Sequence, residues 1–83
     1  DVEEACKIAN STEFGLQSGV VTNNLDNIKY CIKHLKVGAV NINEGPQHDM
    51  PNIPFGGVKQ SGVGREGIRY AMQEMTYIKC VVM

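Results

Sequence analysis

The order of helical and extended patterns in the first half of the chain is the feature that most constrains its fold. Residues 2–9 have a helical pattern, and residues 16–22 have the pattern of a short strand. A second helical pattern starts near Asn23 and precedes a strand pattern over residues 39–43. A helix–strand–helix–strand order is typical of an α/β sheet in which a helical crossover connects two parallel strands.

Four apolar residues at helical intervals define the face that the second helix is expected to bury: Leu25, Ile28, Ile32 and Leu35. Asn23 and Asp26 have the spacing of an N-cap and its N3 partner, and Gly38 is the residue expected just after the helix end. Asp1 is the expected N-cap of the first helix. In the first strand, Gly19 indicates a bulge or a close backbone approach.

The composition limits the classes of protein to which the chain can belong. A net charge of -1 leaves no basic surplus to neutralise a phosphate backbone, which argues against nucleic-acid binding. No apolar run approaches the ~20 residues of a membrane span. The 83 residues provide one small domain or a piece of a larger one, and a single crossover helix cannot cover both faces of a parallel sheet. We therefore expect neighbouring chain to complete the sheet.

The chain contains three cysteines, an odd number, and they are widely spaced. This pattern fits neither a disulfide framework nor a metal-binding pair, and it indicates a reducing, cytoplasmic compartment. Cys6 and Cys31 fall on apolar helix faces, and Cys80 falls on the apolar face of the last extended segment. We expect all three to be small core residues, with no metal site and no catalytic thiol.

Residues 44–64 differ in character from the rest of the chain. The stretch from Gly45 to Gly67 contains six of the nine glycines and all three prolines. Such a long irregular connection is uncommon in a compact domain and is usually functional. It is followed by a helical pattern of roughly ten residues that starts near Ile68, and then by an alternating segment over residues 76–82. That segment is a strand without a partner, so we expect it to pair with another chain or domain.

The sequence from Gly62 to Gly67 has the spacing GxGxxG directly before a helix. One interpretation is a dinucleotide-binding loop that seats a pyrophosphate at the helix N-terminus. The other is a tight glycine turn that leads into the helix. The second is favoured because no hydrophobic strand precedes the glycines and no acidic residue can follow ~20 positions later.

Polar residues at three other places have two interpretations each. His48 and Asp49 form a loop pair that could act as a general base and its orienting carboxylate, or be ordinary solvated residues. His34 lies on the polar side of a helix end, and we expect it to be structural. Arg65, next to Glu66, is either part of a local ion pair or a clamp between elements.

Three stretches of the chain resemble motifs of the aldehyde dehydrogenase superfamily. Residues 10–22 are similar to its N-x-T-x-Y/F-G-L and G-V-F-T sequences, and residues 38–43 are similar to its G-x-V-x-V/I-N strand. Residues 54–67, PFGGVKQSGVGREG, resemble its longer motif P-F-G-G-x-K-x-S-G-x-G-R-E. The resemblance covers essentially the whole chain in order and corresponds to the C-terminal part of a much longer subunit.

The resemblance implies an enzyme that oxidises an aldehyde to a carboxylic acid with NAD or NADP. Members form a thiohemiacetal on a catalytic Cys, transfer hydride to the nicotinamide, and use a Glu as general base for hydrolysis. None of these motifs is in this sequence. We therefore expect the catalytic residues and the NAD or NADP site to lie outside it, and the 83 residues alone to be inactive.

The resemblance also assigns roles to parts of this chain. Residues 1–75 would be the C-terminal part of the catalytic domain, with a substrate-mouth loop over 44–64. Residues 76–83 would be an oligomerisation strand in a dimer or tetramer. Two alternatives remain open, namely a small stand-alone binding or association module, and a dinucleotide-binding module that uses Gly62 to Gly67.

The site residues implied by the resemblance form three groups. Phe55 matches the aromatic residue that walls the aldehyde pocket. Gln47 and His48 lie where members differ and tune substrate choice, and His48 would suit a polar or anionic aldehyde. The structural glycines of the loop are Gly56, Gly57, Gly62 and Gly64. The interface residues are Arg65, Tyr77 and Lys79; many members have Glu or Gln at the position of Tyr77, which argues against an interface ion pair of Arg65.

Overall fold

The chain folds into three helices and a two-stranded parallel sheet in the computed structural model, which describes residues 1–47 and 50–83. The elements in chain order are α1 (Val2–Ala9), β1 (Gln17–Val20), α2 (Leu25–His34), β2 (Ala39–Ile42), a single 3₁₀ turn (Lys59–Ser61) and α3 (Ile68–Glu74). The parallel register places Gln17 opposite Ala39. The predicted α/β class, with a helical crossover between parallel strands, is confirmed.

The first helix begins and packs as its sequence predicts. The Asp1 carboxylate accepts a hydrogen bond from the Glu4 amide at 2.8 Å, which satisfies one of the free donors at the start of α1. Cys6 faces α2 and meets Cys31 there. These two are the buried hydrophobic residues of the described chain, with exposed fractions of 3% and 6%.

The second helix is capped one residue later than predicted. Its N-cap is Asn24, whose side-chain oxygen accepts hydrogen bonds from the amides of Asp26 and Asn27. The prediction of Asn23 is therefore wrong. The cause lies in the preceding turn, because the Thr22 hydroxyl accepts a hydrogen bond from the Asn24 amide at 3.1 Å and orders the turn up to that residue.

The second helix also ends without the glycine cap predicted at Gly38. Leu35 has an extended conformation (φ -72°, ψ 124°) and terminates the helix directly. The Asn10 side chain covers this end, because its Nδ2 donates to the His34 carbonyl at 2.7 Å and its Oδ1 accepts from the Lys36 amide at 2.8 Å. A side chain from the neighbouring helix end thus satisfies groups that a glycine cap would otherwise satisfy.

Much apolar surface stays uncovered in the described chain. Leu25 and Ile32, which were expected on the buried face of α2, are 61% and 57% exposed. Cys80 is also exposed, so the expectation that it is a core residue is wrong for this chain. Residues 76–83 form no helix or strand, and no described element covers them. Their predicted pairing with another chain stays a prediction.

The helices of the described residues are all short. None of them combines the length and the apolar character that are required to cross a bilayer.

Candidate functional site

The long loop leaves the sheet at the carboxyl end of its parallel strands, the edge at which open α/β sheets bind ligands. Asn43 follows β2 with a positive φ of 58°. Its backbone N–H donates to the Val20 carbonyl at 2.7 Å, and its side-chain Oδ1 accepts from the backbone N–H of Thr22 at 3.0 Å. Asn43 therefore ties the two strand ends together and sets the direction of the loop. Sequence reasoning did not single it out, although asparagine tolerates the left-handed conformation well.

Phe55 and Glu66 form an isolated antiparallel bridge that closes the glycine-rich segment into a loop. The Phe55 amide donates to the Glu66 carbonyl at 3.1 Å, and the Glu66 amide donates to the Phe55 carbonyl. The Phe55 residue is half-buried and lines an open groove of ≈ 430 Å³. The apolar residues that line this groove with it include Leu16, Val63, Ala71 and Met75.

The loop glycines permit backbone contacts that a side chain would block. A Cβ on Gly38 would lie 1.6 Å from the carbonyl oxygen of Gly56, so the start of β2 packs directly against the loop. A Cβ on Gly56 would lie 2.4 Å from the carbonyl oxygen of Gly64. Gly57 is buried, and a Cβ there would lie 2.5 Å from the Ser61 Cβ. The requirement for glycine therefore comes from close approach at these positions.

A second set of hydrogen bonds attaches the loop to the segment after α1. The Lys59 ammonium donates to the Thr12 carbonyl at 2.8 Å and to the Asn10 carbonyl at 3.3 Å. The Ser61 hydroxyl accepts from the Gly15 amide at 2.8 Å. Sequence reasoning did not assign roles to Lys59 and Ser61. The signal that could have found them is that Lys59 and Ser61 stand at the fixed K and S positions of the motif that residues 54–67 resemble.

Arg65 is a clamp between parts of the loop. Its Nη1 atom donates to the Gly57 carbonyl at 3.0 Å and to the Gly64 carbonyl at 2.7 Å. Its neighbour Glu66 takes part in the backbone bridge to Phe55, and the described residues contain no ion pair between Arg65 and Glu66. Neither alternative is therefore present as predicted, because the ion pair is absent from the described residues and the clamp joins two parts of one loop and not two elements.

The GxGxxG segment has the geometry of a turn. Gly62, Gly64 and Gly67 have positive φ values of 150°, 85° and 104°. A Cβ on Gly64 would lie 3.0 Å from the Oε2 atom of Glu74, so a carboxylate occupies the space in front of this glycine. Because that carboxylate would repel a pyrophosphate, and because α3 has only seven residues, these features favour the turn over a dinucleotide site.

The remaining predicted site residues are spread over the molecule. Gln47 is exposed, and its backbone N–H donates to the Gly45 carbonyl at 2.9 Å. His48, together with Asp49, lies outside the described residues. Tyr77 is 82% exposed and Lys79 is exposed, and neither side chain bonds to Arg65. The structure thus brings Phe55 and Arg65 into one loop and leaves the two proposed interface residues apart from it.

Two groups of titratable residues lie away from the loop. Burial raises the pKa of the Cys6 thiol, and the neighbouring Cys31 adds to the effect. The His34 ring stacks on Tyr30 with centroids 3.9 Å apart, and its Nδ1 lies 2.9 Å from the Tyr30 carbonyl oxygen, which fits a structural role. Within residues 1–47 and 50–83, no group of three or more His, Cys, Asp or Glu side chains could hold a metal ion.

The sequence profile described as the aldehyde dehydrogenase family matches residues 1–81. The chain belongs to the aldehyde dehydrogenase family. The family predicted from the three motifs is therefore confirmed.

Curated relatives in this family match the chain over nearly its whole length. A lactaldehyde dehydrogenase of Methanococcus maripaludis is 48% identical over 83 residues, which is 100% of this chain and 18% of the relative. A sulfoacetaldehyde dehydrogenase of Neptuniibacter caesariensis is 50% identical over 82 residues, which is 99% of this chain and 18% of the relative. The chain thus spans 18% of the length of these aldehyde dehydrogenases.

Solved aldehyde dehydrogenase structures contain the same fold. The glyceraldehyde-3-phosphate dehydrogenase GapN of Methanocaldococcus jannaschii, complexed with NADP, superposes with a TM-score of 0.89 at 49% identity, over 93% of this chain and 17% of GapN. Aldehyde dehydrogenase 21 of Physcomitrella patens, in complex with the product succinate, superposes with a TM-score of 0.87 at 44% identity. That match covers 90% of this chain and 16% of the moss protein.

Proposed function

We propose that the chain is the C-terminal segment of an NAD(P)-dependent enzyme that oxidises an aldehyde to a carboxylic acid. In this proposal, the segment completes the catalytic domain, and loop 44–64 forms the mouth of the substrate tunnel. The observation that carries the proposal is Phe55, an aromatic residue that is fixed by the backbone bridge to Glu66 and forms, with Leu16, Val63 and Met75, the apolar part of a groove also lined by Arg65, Glu66 and Glu74. A rigid apolar wall of this kind is what an aldehyde pocket requires.

The exposed surface supports a segment of a larger domain over a stand-alone module. Two parallel strands form the whole described sheet, whereas parallel sheets are normally covered on both faces. The described chain leaves many large apolar residues exposed, including Val21 at 83% and Leu25 at 61%. Further protein packed on these surfaces would bury them and stabilise the sheet.

The catalytic groups belong, in this proposal, to the rest of the enzyme. Burial raises the pKa of Cys6, which is the opposite of what a nucleophilic thiol needs. Glu74 opposite Gly64 makes the glycine segment unsuitable for a nicotinamide dinucleotide. The segment therefore contributes the wall of the tunnel, and the catalytic Cys, the general-base Glu and the NAD or NADP site lie elsewhere in the subunit.

The substrate in this proposal is a small polar aldehyde. Three curated relatives act, by name, on lactaldehyde, sulfoacetaldehyde and glyceraldehyde-3-phosphate, which are all small and polar. Gln47 is exposed at the start of the loop and can donate and accept hydrogen bonds. Together with His48, it would select the polar end of the aldehyde, while Phe55 contacts its apolar part.

The last eight residues support association with other subunits. Ile78 is 99% exposed and Val82 is 89% exposed in an extended segment that no described element covers. Such a segment can add to the sheet edge of a neighbouring subunit. We assign residues 76–83 to the interface of a dimer or tetramer, with Tyr77 and Lys79 as contacts, in a cytoplasmic enzyme.

The proposal is tested by steady-state kinetics on two proteins, the isolated 83 residues and the full subunit that contains them. Lactaldehyde and sulfoacetaldehyde are offered with NAD or NADP, and formation of the reduced nicotinamide is followed. We expect turnover by the full subunit and none by the isolated segment. Turnover by the segment alone, or no aldehyde oxidation by the full subunit, would contradict the proposal.

The role of Phe55 is tested in the full subunit with a matched aromatic control. Phe55→Ala is expected to raise the KM for the aldehyde and leave the KM for NAD(P) unchanged. The reason is that, in this proposal, the ring contacts the aldehyde and not the dinucleotide. Phe14→Ala removes an aromatic side chain that is 58% exposed and does not line the groove beside Phe55. We expect that variant to leave the KM for the aldehyde unchanged. Equal effects of both substitutions would remove Phe55 from the substrate wall.

A further inference from the structure

Cys6 and Cys31 form a thiol pair that the proposed function does not use. The two sulfur atoms lie 3.7 Å apart, and the Cys6 thiol donates to the Cys31 sulfur. The residues come from different helices, since Cys6 is in α1 and Cys31 is in α2. A disulfide bond is about 2.0 Å long, so the two sulfur atoms need to approach each other by only about 1.7 Å.

The pair is almost fully buried, and a groove reaches one side of it. Cys6 borders an open groove of ≈ 750 Å³ between α1 and α2, whereas Cys31 does not line this groove. Both residues are almost fully buried, with Cys6 3% and Cys31 6% exposed, and the groove brings a small oxidant up to Cys6.

We propose that Cys6 and Cys31 are a redox modification site, in which hydrogen peroxide or a related hydroperoxide converts the pair into a disulfide that links α1 to α2. The juxtaposition of two thiols on packed helices, one of them at a groove, carries this inference. It does not depend on the substrate or on the catalytic role of the loop.

The reaction proceeds in two steps. The Cys6 sulfur attacks one peroxide oxygen and the O–O bond breaks. Cys6 becomes a sulfenic acid, and the leaving hydroxide takes the thiol proton to form water. The Cys31 sulfur then attacks the Cys6 sulfur and the S–O bond breaks, which releases a second water with the Cys31 proton. The two sulfurs lose two electrons in total, and one peroxide is reduced to two waters.

The burial of Cys6 makes oxidation of the thiol pair slow. The thiolate is the reactive form, and burial raises the pKa of Cys6, so little thiolate is present at neutral pH. The pair is thus oxidised by sustained peroxide. Once formed, the link holds α1 on α2 until a thiol such as dithiothreitol reduces it.

Peptide mass spectrometry on the full subunit tests the proposal. The protein is treated with hydrogen peroxide, free thiols are blocked with N-ethylmaleimide, and trypsin releases a peptide that ends at Lys7 and a peptide of residues 30–33. We expect these two peptides to be joined by a disulfide, to separate after dithiothreitol, and the oxidised protein to have a higher Tm than the reduced one.

Two variants make the result specific. In Cys31→Ser, Cys6 is expected to stop at the sulfenic acid, which dimedone traps, and the joined peptides are lost. In Cys80→Ser, the joined peptides are expected to form as in the unaltered protein. The proposal is overturned by recovery of both cysteines as separate blocked peptides while another cysteine of the subunit is oxidised. A disulfide to Cys80, or a sulfinic acid on Cys6 without a link, overturns it equally.

Discussion

Gly38 and Gly56 pack backbone against backbone, so closely that a Cβ on Gly38 would lie 1.6 Å from the Gly56 carbonyl oxygen. Gly38 precedes β2, and Gly56 follows the groove residue Phe55. The contact therefore joins the start of the sheet to the loop. Gly38→Ala is expected to lower the free energy of unfolding by about 1–3 kcal/mol, because the neighbouring atoms are backbone and must shift to make room. Denaturant unfolding of the full subunit measures this change.

Gly45→Ala is the matched control for the glycine experiment. Among the described residues, a Cβ on Gly45 would meet no atom closer than 3.8 Å, and its φ is not in the left-handed region. We expect its unfolding midpoint to equal or slightly exceed that of the unaltered protein, because alanine has less conformational entropy to lose. Similar losses in both variants would show that close packing is not what requires glycine at position 38.

Arg65 is expected to position the loop for substrate. Arg65→Ala removes the two hydrogen bonds to the Gly57 and Gly64 carbonyls, and hydrogen bonds from a charged donor contribute about 1.5–3 kcal/mol. We expect the KM of the full subunit for the aldehyde to rise roughly tenfold, which corresponds to ~1.4 kcal/mol. The KM for NAD(P) should stay unchanged, because the loop lies on the substrate side in the proposed function. Steady-state kinetics with each substrate varied in turn measures both constants.

Two further variants separate positioning from general stability. Both bonds of Arg65 come from one nitrogen atom, so the single ammonium of Arg65→Lys should restore most of the aldehyde affinity. Arg69→Ala removes an exposed arginine of α3 whose side chain forms no hydrogen bond in the described chain, and it should have no effect. Failure of lysine to restore affinity, or a parallel rise in the KM for NAD(P), would contradict a positioning role.

The elements that were predicted correctly depend on local patterns. The helix at Val2–Ala9, the crossover helix and the parallel strand pair follow from apolar periodicity and polar caps within short windows. The close approach expected at Gly19 is also present, since a Cβ there would lie 2.6 Å from the Glu44 carbonyl oxygen. The helices and strands need no knowledge of distant contacts, whereas the glycine indicated a close approach at position 19 without naming its distant partner, Glu44.

The features that were missed depend on distant residues. Gly38 was assigned to a helix end, but its partner is Gly56, on the far side of the loop. Asn10 ends α2 from the neighbouring helix, and nothing in the sequence of α2 indicates this. Arg65 had two possible roles until the carbonyls of the folded loop were known. Each case involves atoms that folding alone brings together.

The stability of the protein is expected to fall at alkaline pH because of Cys6. Burial raises the pKa of this thiol above its ordinary value of 9.0, so the folded state keeps a proton that the unfolded state loses. The stabilisation is fully present below the pKa of the unfolded thiol and is lost as the pH rises through the pKa of the folded one. Denaturant unfolding in reducing buffer between pH ~8 and pH ~10 measures the slope.

Two cysteine variants identify the group responsible for the alkaline slope. Desolvation also raises the pKa of Tyr30, which contributes in the same direction, so the difference between variants is the informative quantity. Cys6→Ser should have a shallower decline with pH than the unaltered protein, whereas Cys80→Ser should keep the full decline. An unchanged slope in Cys6→Ser would assign the effect to another group.

The cap of α2 offers a comparison between two adjacent asparagines. Asn24 accepts hydrogen bonds from the Asp26 and Asn27 amides at 2.9 Å and 3.1 Å, whereas Asn23 is exposed and bonds to neither. Asn24→Ala is expected to lower the free energy of unfolding by about 0.5–2 kcal/mol, because it leaves two amides at the helix start without their partner. Asn23→Ala should change it by less than about 0.5 kcal/mol. Asn24→Asp should stay close to the unaltered protein, because a carboxylate accepts the same bonds and favours the positive end of the helix dipole. The unfolding midpoints of the three variants, measured in one buffer, identify the residue that caps α2. A larger loss of stability for Asn23→Ala than for Asn24→Ala would show that Asn23, the residue predicted from its spacing to Asp26, is the N-cap.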